Sequence, residues 1–133
     1  MRKLISERLA INAMLVLLTL IVLFHVLVLT GIIPFTIIGG GRITTRAEMV
    51  RLEVPALLIN LVMLLVVAAR AGLVKWRINP TLFRVVFWVL FAVFLLNTLG
   101  NLLSTNTLEK LVFTPLTMLL ALFSLRLAMS RTA

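Results

Sequence analysis

The chain has 133 residues, of which 62% are hydrophobic, and its mean hydropathy is +1.22. Apolar residues make up only about half of an ordinary soluble domain, so this composition excludes a soluble enzyme or binding domain. The formal net charge of +9 could indicate nucleic acid as a partner, but the placement of the basic residues argues against it. Cysteine is absent, which excludes disulfides, thiol catalysis and iron–sulfur clusters.

Four long apolar runs account for nearly the whole chain. They cover residues 9–33, 54–73, 82–103 and 108–129. Each has the ~20 residues with which a helix crosses a ~30 Å hydrocarbon layer, and none alternates as a barrel strand does. The sequence therefore predicts an all-α, polytopic membrane protein. Its single domain, residues 1–133, would be an antiparallel bundle of four transmembrane helices.

The connections between these runs differ in length. Short connections follow the second and third runs, which predicts that the second helix packs against the third and the third against the fourth. The first connection, residues 34–53, is longer. It contains Thr45 followed by Glu48, a spacing typical of a capping box. The second helix should therefore begin near Thr45, ahead of its apolar run.

The basic residues are distributed unevenly between the two ends of the predicted bundle. One end holds nine of the thirteen basic residues, which are Arg2, Lys3, Arg8, Arg70, Lys75, Arg77, Arg84, Arg126 and Arg131. The opposite end holds the remaining four, which are Arg42, Arg46, Arg51 and Lys110. The positive-inside rule then predicts that both termini and the 74–81 loop are cytoplasmic. We expect a multi-pass protein of the bacterial inner membrane whose basic end attracts anionic membrane lipids.

Polar residues of the four runs fall at similar depths. At ~1.5 Å per residue, His25 lies roughly 12 Å from the outward end of its run. Asn60, Asn97 and Thr114 lie roughly 9 Å from the outward ends of theirs. Asn101 continues the face of Asn97. This layer predicts a polar pocket that opens toward the extracytoplasmic side.

Two glutamates and a histidine complete the candidate ligand-binding residues. Glu53 and Glu109 are expected at the rim of the pocket. His25 is the only histidine in the chain and would be a titratable contact, because ionisable groups inside a membrane often mark function. A structural role, bonded to a neighbouring polar group, is equally compatible with its position. One histidine without cysteine or aspartate does not predict a metal site, and no cofactor is implied.

The asparagines have a second interpretation. Asparagine between membrane helices often serves only as an interhelical hydrogen bond, which contributes ~0.6 kcal/mol on average. On that interpretation Asn60, Asn97 and Asn101 hold the bundle together and bind no ligand.

The fourth run carries two further features. Pro115 removes the helical partner of the Leu111 carbonyl, next to Thr114 in the polar layer. A stripe of small residues also predicts a seam against another helix, and it comprises Thr114, Thr117, Ala121, Ser124 and Ala128.

Two resemblances add to this picture. The string Asn97-Thr98-Leu99-Gly100-Asn101, with Glu109-Lys110 and Pro115-Leu116-Thr117 downstream, resembles small uncharacterised four-helix membrane proteins of bacteria, a family that implies no activity. The segment from Arg46-Ala47 to Glu53 and Pro55 is similar to the signature entering the second helix of the MAPEG glutathione-dependent enzymes. Val50 stands here in place of the signature asparagine, tyrosine is absent, and the charge-derived topology is the reverse of that family's.

Three functions are compatible with these patterns. The leading hypothesis is transport or binding of a small or amphipathic ligand in the outward-facing pocket, by a protein that self-associates. The second is an accessory subunit that packs in a larger membrane complex, which a lipid-facing asparagine would favour. The third is a MAPEG-like membrane enzyme, for which His25 with Glu53 or Glu109 would be the acid–base pair.

Overall fold

The computed structural model describes residues 5–34, 43–75, 79–104, 107 and 109–129, and within these ranges it is entirely helical. Helix α1 spans Glu7–Leu29, α2 spans Arg46–Arg70, α3 spans Pro80–Leu102 and α4 spans Thr114–Ala128. A π-helical turn, Glu109–Phe113, directly precedes α4. All four helices, the last counted as Lys110–Ala128, are long and apolar enough to cross a membrane. The predicted all-α class with four such helices is confirmed.

Local capping signals set where three of the helices begin. The Thr45 hydroxyl accepts a hydrogen bond from the Glu48 amide at 3.2 Å, so α2 begins at Arg46, as the Thr45–Glu48 spacing predicts. Ser6 caps α1 and Asn79 caps α3 in the same manner. Such a cap satisfies one of the backbone N–H groups that a helix start leaves without a partner.

The end of α2 shows how its chain direction is reversed. Gly72 has a φ of +81°, and the amide of Leu73 donates to the Ala68 carbonyl at 3.0 Å. A residue in the left-handed conformation at this position lets the amides that follow the helix donate to its last carbonyls. Glycine adopts this conformation without steric cost. The turn that follows α2 therefore begins where the sequence supplies a glycine.

Pro115 lies in the first turn of α4 rather than in the middle of a regular helix. A proline has no N–H to offer the carbonyl four residues earlier, and its ring crowds that carbonyl. The chain meets this constraint with the wider π-helical turn immediately before α4. The polar residue Thr114 stands at this junction.

The helices pack in the order α2–α1–α4–α3. Helix α3 packs most closely on α4, and α1 packs on both α2 and α4. In the described residues the backbones of α2 and α3 hardly approach each other. The prediction that α2 packs against α3 is therefore wrong, while that for α3 and α4 is confirmed. Phe87 of α3 and Met63 of α2 nevertheless belong to the same buried apolar core.

One half of the bundle holds a continuous core to which every helix contributes. We call it the core half; it contains the start of α1, the end of α2, the start of α3 and the end of α4. Its buried side chains are Ala10, Met14, Leu18, Met63, Val67, Ala69, Phe83, Phe87, Leu90, Phe94, Leu120, Ala121, Leu127 and Ala128.

The opposite half of the bundle, which we call the polar half, is built differently. It contains the end of α1, the start of α2, the end of α3 and the start of α4. Its apolar cluster is small, formed by Val28, Ile43 and Met49, and involves only α1 with the entry to α2. Buried polar side chains supply much of the remaining contact between helices in this half.

The small-residue stripe of α4 forms the predicted seam. Ala121, Ser124 and Ala128 are buried almost completely, and Thr117 is buried nearly as well. Small side chains allow helix backbones to approach closely in a membrane protein, which accounts for the close packing around α4. The seam prediction is confirmed.

Candidate functional site

Helices α1 and α2 bring three predicted site residues together in the polar half. The Nδ1 atom of His25 contacts the Oε2 atom of Glu53, and the Nδ2 atom of Asn60 lies 3.3 Å from the Nε2 atom of His25. We call these three residues the histidine cluster. Glu53 and Asn60 are seven residues apart, so two helical turns place them on the same face of α2 opposite the histidine.

The hydrogen bonds within the histidine cluster define where its protons are. Asn60 Nδ2 donates to the Ala56 carbonyl at 2.7 Å and also points at His25 Nε2. The tautomer with its hydrogen on Nδ1 is the assignment that fits both contacts, because an amide nitrogen only donates and Nε2 then accepts. Nδ1–H then donates to Glu53. The cluster is thus a continuous chain from amide to imidazole to carboxylate, and both ring nitrogens are engaged.

Glu53 is buried more deeply than the sequence suggested. Only 3% of its surface is exposed, and the His25 side chain is also mostly covered. The expectation that Glu53 lies at the rim of a pocket is therefore wrong. Its position on the same face of α2 as Asn60 turns its carboxylate toward α1, where His25 meets it.

A second polar cluster joins α3 to α4. The hydroxyls of Thr98 and Thr117 are 2.9 Å apart, and Asn101 Nδ2 donates to Thr117 Oγ1 at 3.3 Å. Thr117 Oγ1 also lies 2.8 Å from the Phe113 carbonyl, to which it donates. We call Thr98, Asn101 and Thr117 the threonine cluster. Asn101 therefore takes part in an interhelical hydrogen bond, as the packing interpretation of the asparagines predicts.

Aromatic rings lie between the two clusters. Phe24 packs edge-on against Phe113, with ring centroids 4.8 Å apart, and its centroid is 5.9 Å from that of His25. Phe24 belongs to α1 and Phe113 to the π-helical turn before α4, so this contact connects the two helix pairs. The single polar layer expected from the sequence is thus divided into two hydrogen-bonded groups with an aromatic contact between them.

Thr114 and Glu109, both predicted to belong to the polar pocket, lie at or next to the π-helical turn. Thr114 is partly buried, and its Oγ1 atom is fully covered without a hydrogen-bond partner. It joins neither cluster. The Glu109 backbone belongs to the π-helical turn, but its side chain lies outside the described residues.

Asn97 does not point into the bundle. Its side chain is exposed, and so is Gly100 one turn later, where an added Cβ would meet no atom within 4 Å. The expectation that Asn97 shares a pocket with His25 and Asn60 is therefore wrong. The buried face of α3 is fixed by Phe87, Phe94 and the neighbouring Thr98, and one residue of helix rotates a side chain by ~100° away from that face.

Sequence reasoning missed Thr98, the most deeply buried polar residue of α3, which is 1% exposed. A signal for it was present. The residues Phe83, Phe87, Leu90, Phe94 and Thr98 follow each other at intervals of three or four, and this spacing defines one helix face. It also missed the ion pair between Glu7 of α1 and Arg70 of α2, at the far end of the core half.

The donor set of the histidine cluster limits its chemistry. No group of three or more histidine, aspartate or glutamate side chains able to hold a metal occurs among the residues that the structure describes. The cluster instead offers one buried carboxylate and one imidazole, each bonded to the other. The carboxylate can bind a positively charged or hydrogen-bond-donating group when the histidine moves aside.

Comparisons with protein-family models, with curated proteins and with solved structures found no match to this chain. The resemblances to bacterial four-helix membrane proteins and to the MAPEG enzymes therefore remain predictions from the sequence.

Proposed function

We propose that the chain is a multi-pass protein of the bacterial inner membrane, with both termini in the cytoplasm. Four helices long and apolar enough to cross a membrane support the insertion. The concentration of nine of thirteen basic residues at one end supports the orientation. In this orientation the core half faces the cytoplasm and the polar half faces the extracytoplasmic side.

The function that we propose is binding of a small or amphipathic ligand at the histidine cluster, as one step of its transport or retention. The observation that carries this proposal is the burial of the Glu53 carboxylate, 3% exposed, against His25 within an apolar helix pair. Ionisable groups at such depth are costly, and in membrane proteins they usually line substrate or ion pathways.

The chemistry of the cluster favours ligands that carry a positive charge or a strong hydrogen-bond donor. In the described arrangement the Glu53 carboxylate accepts a hydrogen bond from His25 Nδ1. A cationic group could take over that role, because an ionised carboxylate only accepts hydrogen bonds and attracts positive charge. Asn60 would then hold the displaced imidazole through its amide.

The core half favours binding over simple conduction by one copy of the chain. Met14, Leu18, Phe87 and Leu120 are almost wholly buried below the polar half. Close packing of this kind leaves no room for a hydrated path. Movement of a ligand across the membrane would therefore require the core half to open or several copies to assemble.

Two probes of the same shape and opposite charge test this proposal. Binding of tetraphenylphosphonium and of tetraphenylborate to the full chain in nanodiscs of neutral lipid is measured by isothermal titration calorimetry. We expect the cation to bind beyond its partition into protein-free nanodiscs, and the anion to show only that partition. Glu53→Gln keeps the size and a hydrogen-bond acceptor but removes the charge, so cation affinity should fall at least about tenfold, or about 1.4 kcal/mol.

Glu48→Gln is the matched control for this test. Glu48 also lies on α2, but it is exposed and serves the helix cap. Cation affinity should be unchanged in this variant. Equal affinity in folded Glu53→Gln and wild type, or equal binding of the two probes, would rule out a carboxylate-based site.

A second function, that of an accessory or self-associating subunit, is favoured by a different observation. Asn97 and Gly100 face outward on α3, among the exposed side chains of Leu96 and Leu99. A polar amide exposed to lipid tails lacks hydrogen-bond partners, and membrane helices commonly satisfy such groups against another helix. A second copy could supply the partner, because an amide side chain both donates and accepts.

The natural absence of cysteine makes this second function easy to test. Asn97→Cys should form a disulfide-linked dimer under mild oxidation in native membranes if two copies meet at this face. Leu58→Cys, on the exposed side of α2, is the control. Equal crosslinking at both positions would indicate random collision and would oppose a specific α3 interface.

A further inference from the structure

The end of the bundle opposite the histidine cluster contains an open cleft of about 440 Å³ between the start of α1 and the end of α2. This is within the usual size range of ligand sites, roughly 300–1,000 Å³. Its lining residues are Glu7, Arg8, Ile11, Asn12, Leu15, Arg70, Ala71 and Leu73. None of them belongs to the site proposed above.

The cleft lies where the apolar helices end. Glu7 is the first residue of α1 and Arg70 is the last residue of α2. Their side chains form an ion pair that crosses between the two helices. This pairing fixes the Arg70 guanidinium at one wall of the cleft and offsets the Glu7 charge, so the three ionisable lining side chains together carry one net positive charge.

Arg8 and Asn12 provide the wall that a ligand would meet first. Both are exposed side chains on the first turns of α1. They are four residues apart, so they project from the same face of the helix. Arginine presents a planar set of N–H donors that matches the oxygens of a phosphate, and the asparagine amide adds a neutral donor.

The remaining lining of the cleft is apolar. Ile11 and Leu15 are partly buried and pack against the core half, while Leu73 is largely exposed after the end of α2. A charged rim therefore adjoins an apolar floor that continues along α1 toward the middle of the bundle. An occupant that suits both surfaces has an anionic head and a hydrocarbon tail.

The geometry points to a binding site for an anionic phospholipid in this cleft, with its phosphate on Arg8 and Asn12 and an acyl chain along Ile11 and Leu15. Arg70, whose charge is offset by Glu7, adds N–H donors at its wall of the cleft without adding net charge. This site rests on the proposed insertion of the four helices in a membrane, whose lipids would then supply the occupant. This site goes beyond the general attraction of a basic surface for anionic lipids, since it requires a particular arginine and a particular cavity.

Native mass spectrometry of the full chain, released from neutral detergent micelles, tests the proposal. Phosphatidylglycerol and phosphatidylcholine with identical acyl chains are titrated separately. Both headgroups carry a phosphate, but the choline cation makes phosphatidylcholine neutral overall. We therefore expect phosphatidylglycerol to bind about tenfold more tightly to a cleft with a net positive charge. Arg8→Gln should remove most of this preference, because it lowers phosphatidylglycerol binding more than phosphatidylcholine binding.

Arg84→Gln is the matched control, because Arg84 is an exposed arginine in the first turn of α3 and lies outside the cleft. It should leave the preference intact. Asn12→Phe, which fills the cleft without changing charge, should reduce phosphatidylglycerol binding as strongly as Arg8→Gln. Because both replaced side chains are exposed, the fold should tolerate these changes.

Three results would overturn the lipid site. Equal losses in Arg8→Gln and Arg84→Gln would show diffuse surface electrostatics. Full binding by Asn12→Phe would show that the cavity is not used. Competition by inorganic phosphate at millimolar concentration, to the extent seen with phosphatidylglycerol, would show that the cleft takes a free phosphate and not a lipid.

Discussion

The core half and the polar half of this bundle are held together by different means. In the core half, side chains from all four helices pack into one apolar cluster. In the polar half, α1 and α2 are joined by the histidine cluster, α3 and α4 are joined by the threonine cluster, and Phe24 and Phe113 connect the two pairs. An apolar core tolerates the exchange of one apolar side chain for another but not a change of side-chain volume. The polar contacts depend on particular donor and acceptor atoms.

This difference suggests a division of roles. A close-packed half fixes the helices relative to one another, and the half with fewer shared apolar contacts can change its arrangement at lower cost. A buried carboxylate placed in the more adaptable half is well situated to exchange one partner for another. Variants that weaken one half at a time test whether the two halves differ in this way.

The largest effect is expected from the core half. Phe87→Ala removes a ring that is 1% exposed, and the lost contacts and remaining cavity should cost about 3–5 kcal/mol of unfolding free energy. Denaturation by sodium dodecyl sulfate, followed by circular dichroism, measures the change. Trp88→Ala, at an exposed neighbouring position, is the control and should cost much less. Similar losses in both variants would contradict the proposed core.

The histidine cluster should give the next largest effect. His25→Leu leaves the buried Glu53 carboxylate without its hydrogen-bond donor and should cost about 1–3 kcal/mol, the usual cost of an unsatisfied buried acceptor. The double variant His25→Leu/Glu53→Leu should recover much of that loss in the same denaturation assay. If the single and double variants are equally unstable, the two side chains do not form a coupled buried pair.

The threonine cluster should contribute less. Thr98→Val keeps the side-chain shape but removes the hydroxyl that meets Thr117, so we expect a loss of about 0.6 kcal/mol and at most roughly 1.7. A double-mutant cycle with Thr117→Val separates the pair from other contacts of each residue. Strict additivity of the two losses would show that the hydroxyls do not stabilise the α3–α4 contact together.

The smallest effect on the isolated chain is expected at Asn97. Its side chain contacts no described core, so Asn97→Leu should change the unfolding free energy by less than about 0.5 kcal/mol. The same variant should reduce self-association in nanodiscs if the α3 face is an interface, as measured by mass photometry. Unchanged stability with unchanged assembly would leave Asn97 without an interhelical role, and a large loss of stability would contradict its exposure.

Local features of the sequence predicted the elements well. The length and hydropathy of the runs gave four helices, Thr45 with Glu48 marked the start of α2, and the small residues of α4 marked a close seam. These signals are local, because a cap or a small side chain acts within one or two helical turns. The pairing of His25 with Glu53 was anticipated only as one of two possible acid–base pairs.

Depth along a helix proved a weaker guide than rotation about it. Asn97 and Thr98 differ by one residue in depth, yet the first is exposed and the second is buried against α4. Glu53 was likewise expected at the rim of a pocket because its rotation about the helix axis was unknown. Its carboxylate is in fact turned inward to His25. Counting residues from the end of an apolar run gives the level of a side chain and says nothing of the direction in which it points.

The amino-acid sequence was sufficient to predict the number of helices, the capped start of α2 and the uneven distribution of charge between the helix ends. The tertiary structure alone decided that α1 and α4 are central, that the polar layer is divided into two clusters, and that Arg8 and Arg70 share a cleft. The physical reason is that lipid tails and a protein core accept the same apolar side chains. Hydropathy therefore identifies a membrane helix without revealing which of its faces meets another helix, and only packing of the whole chain selects that face.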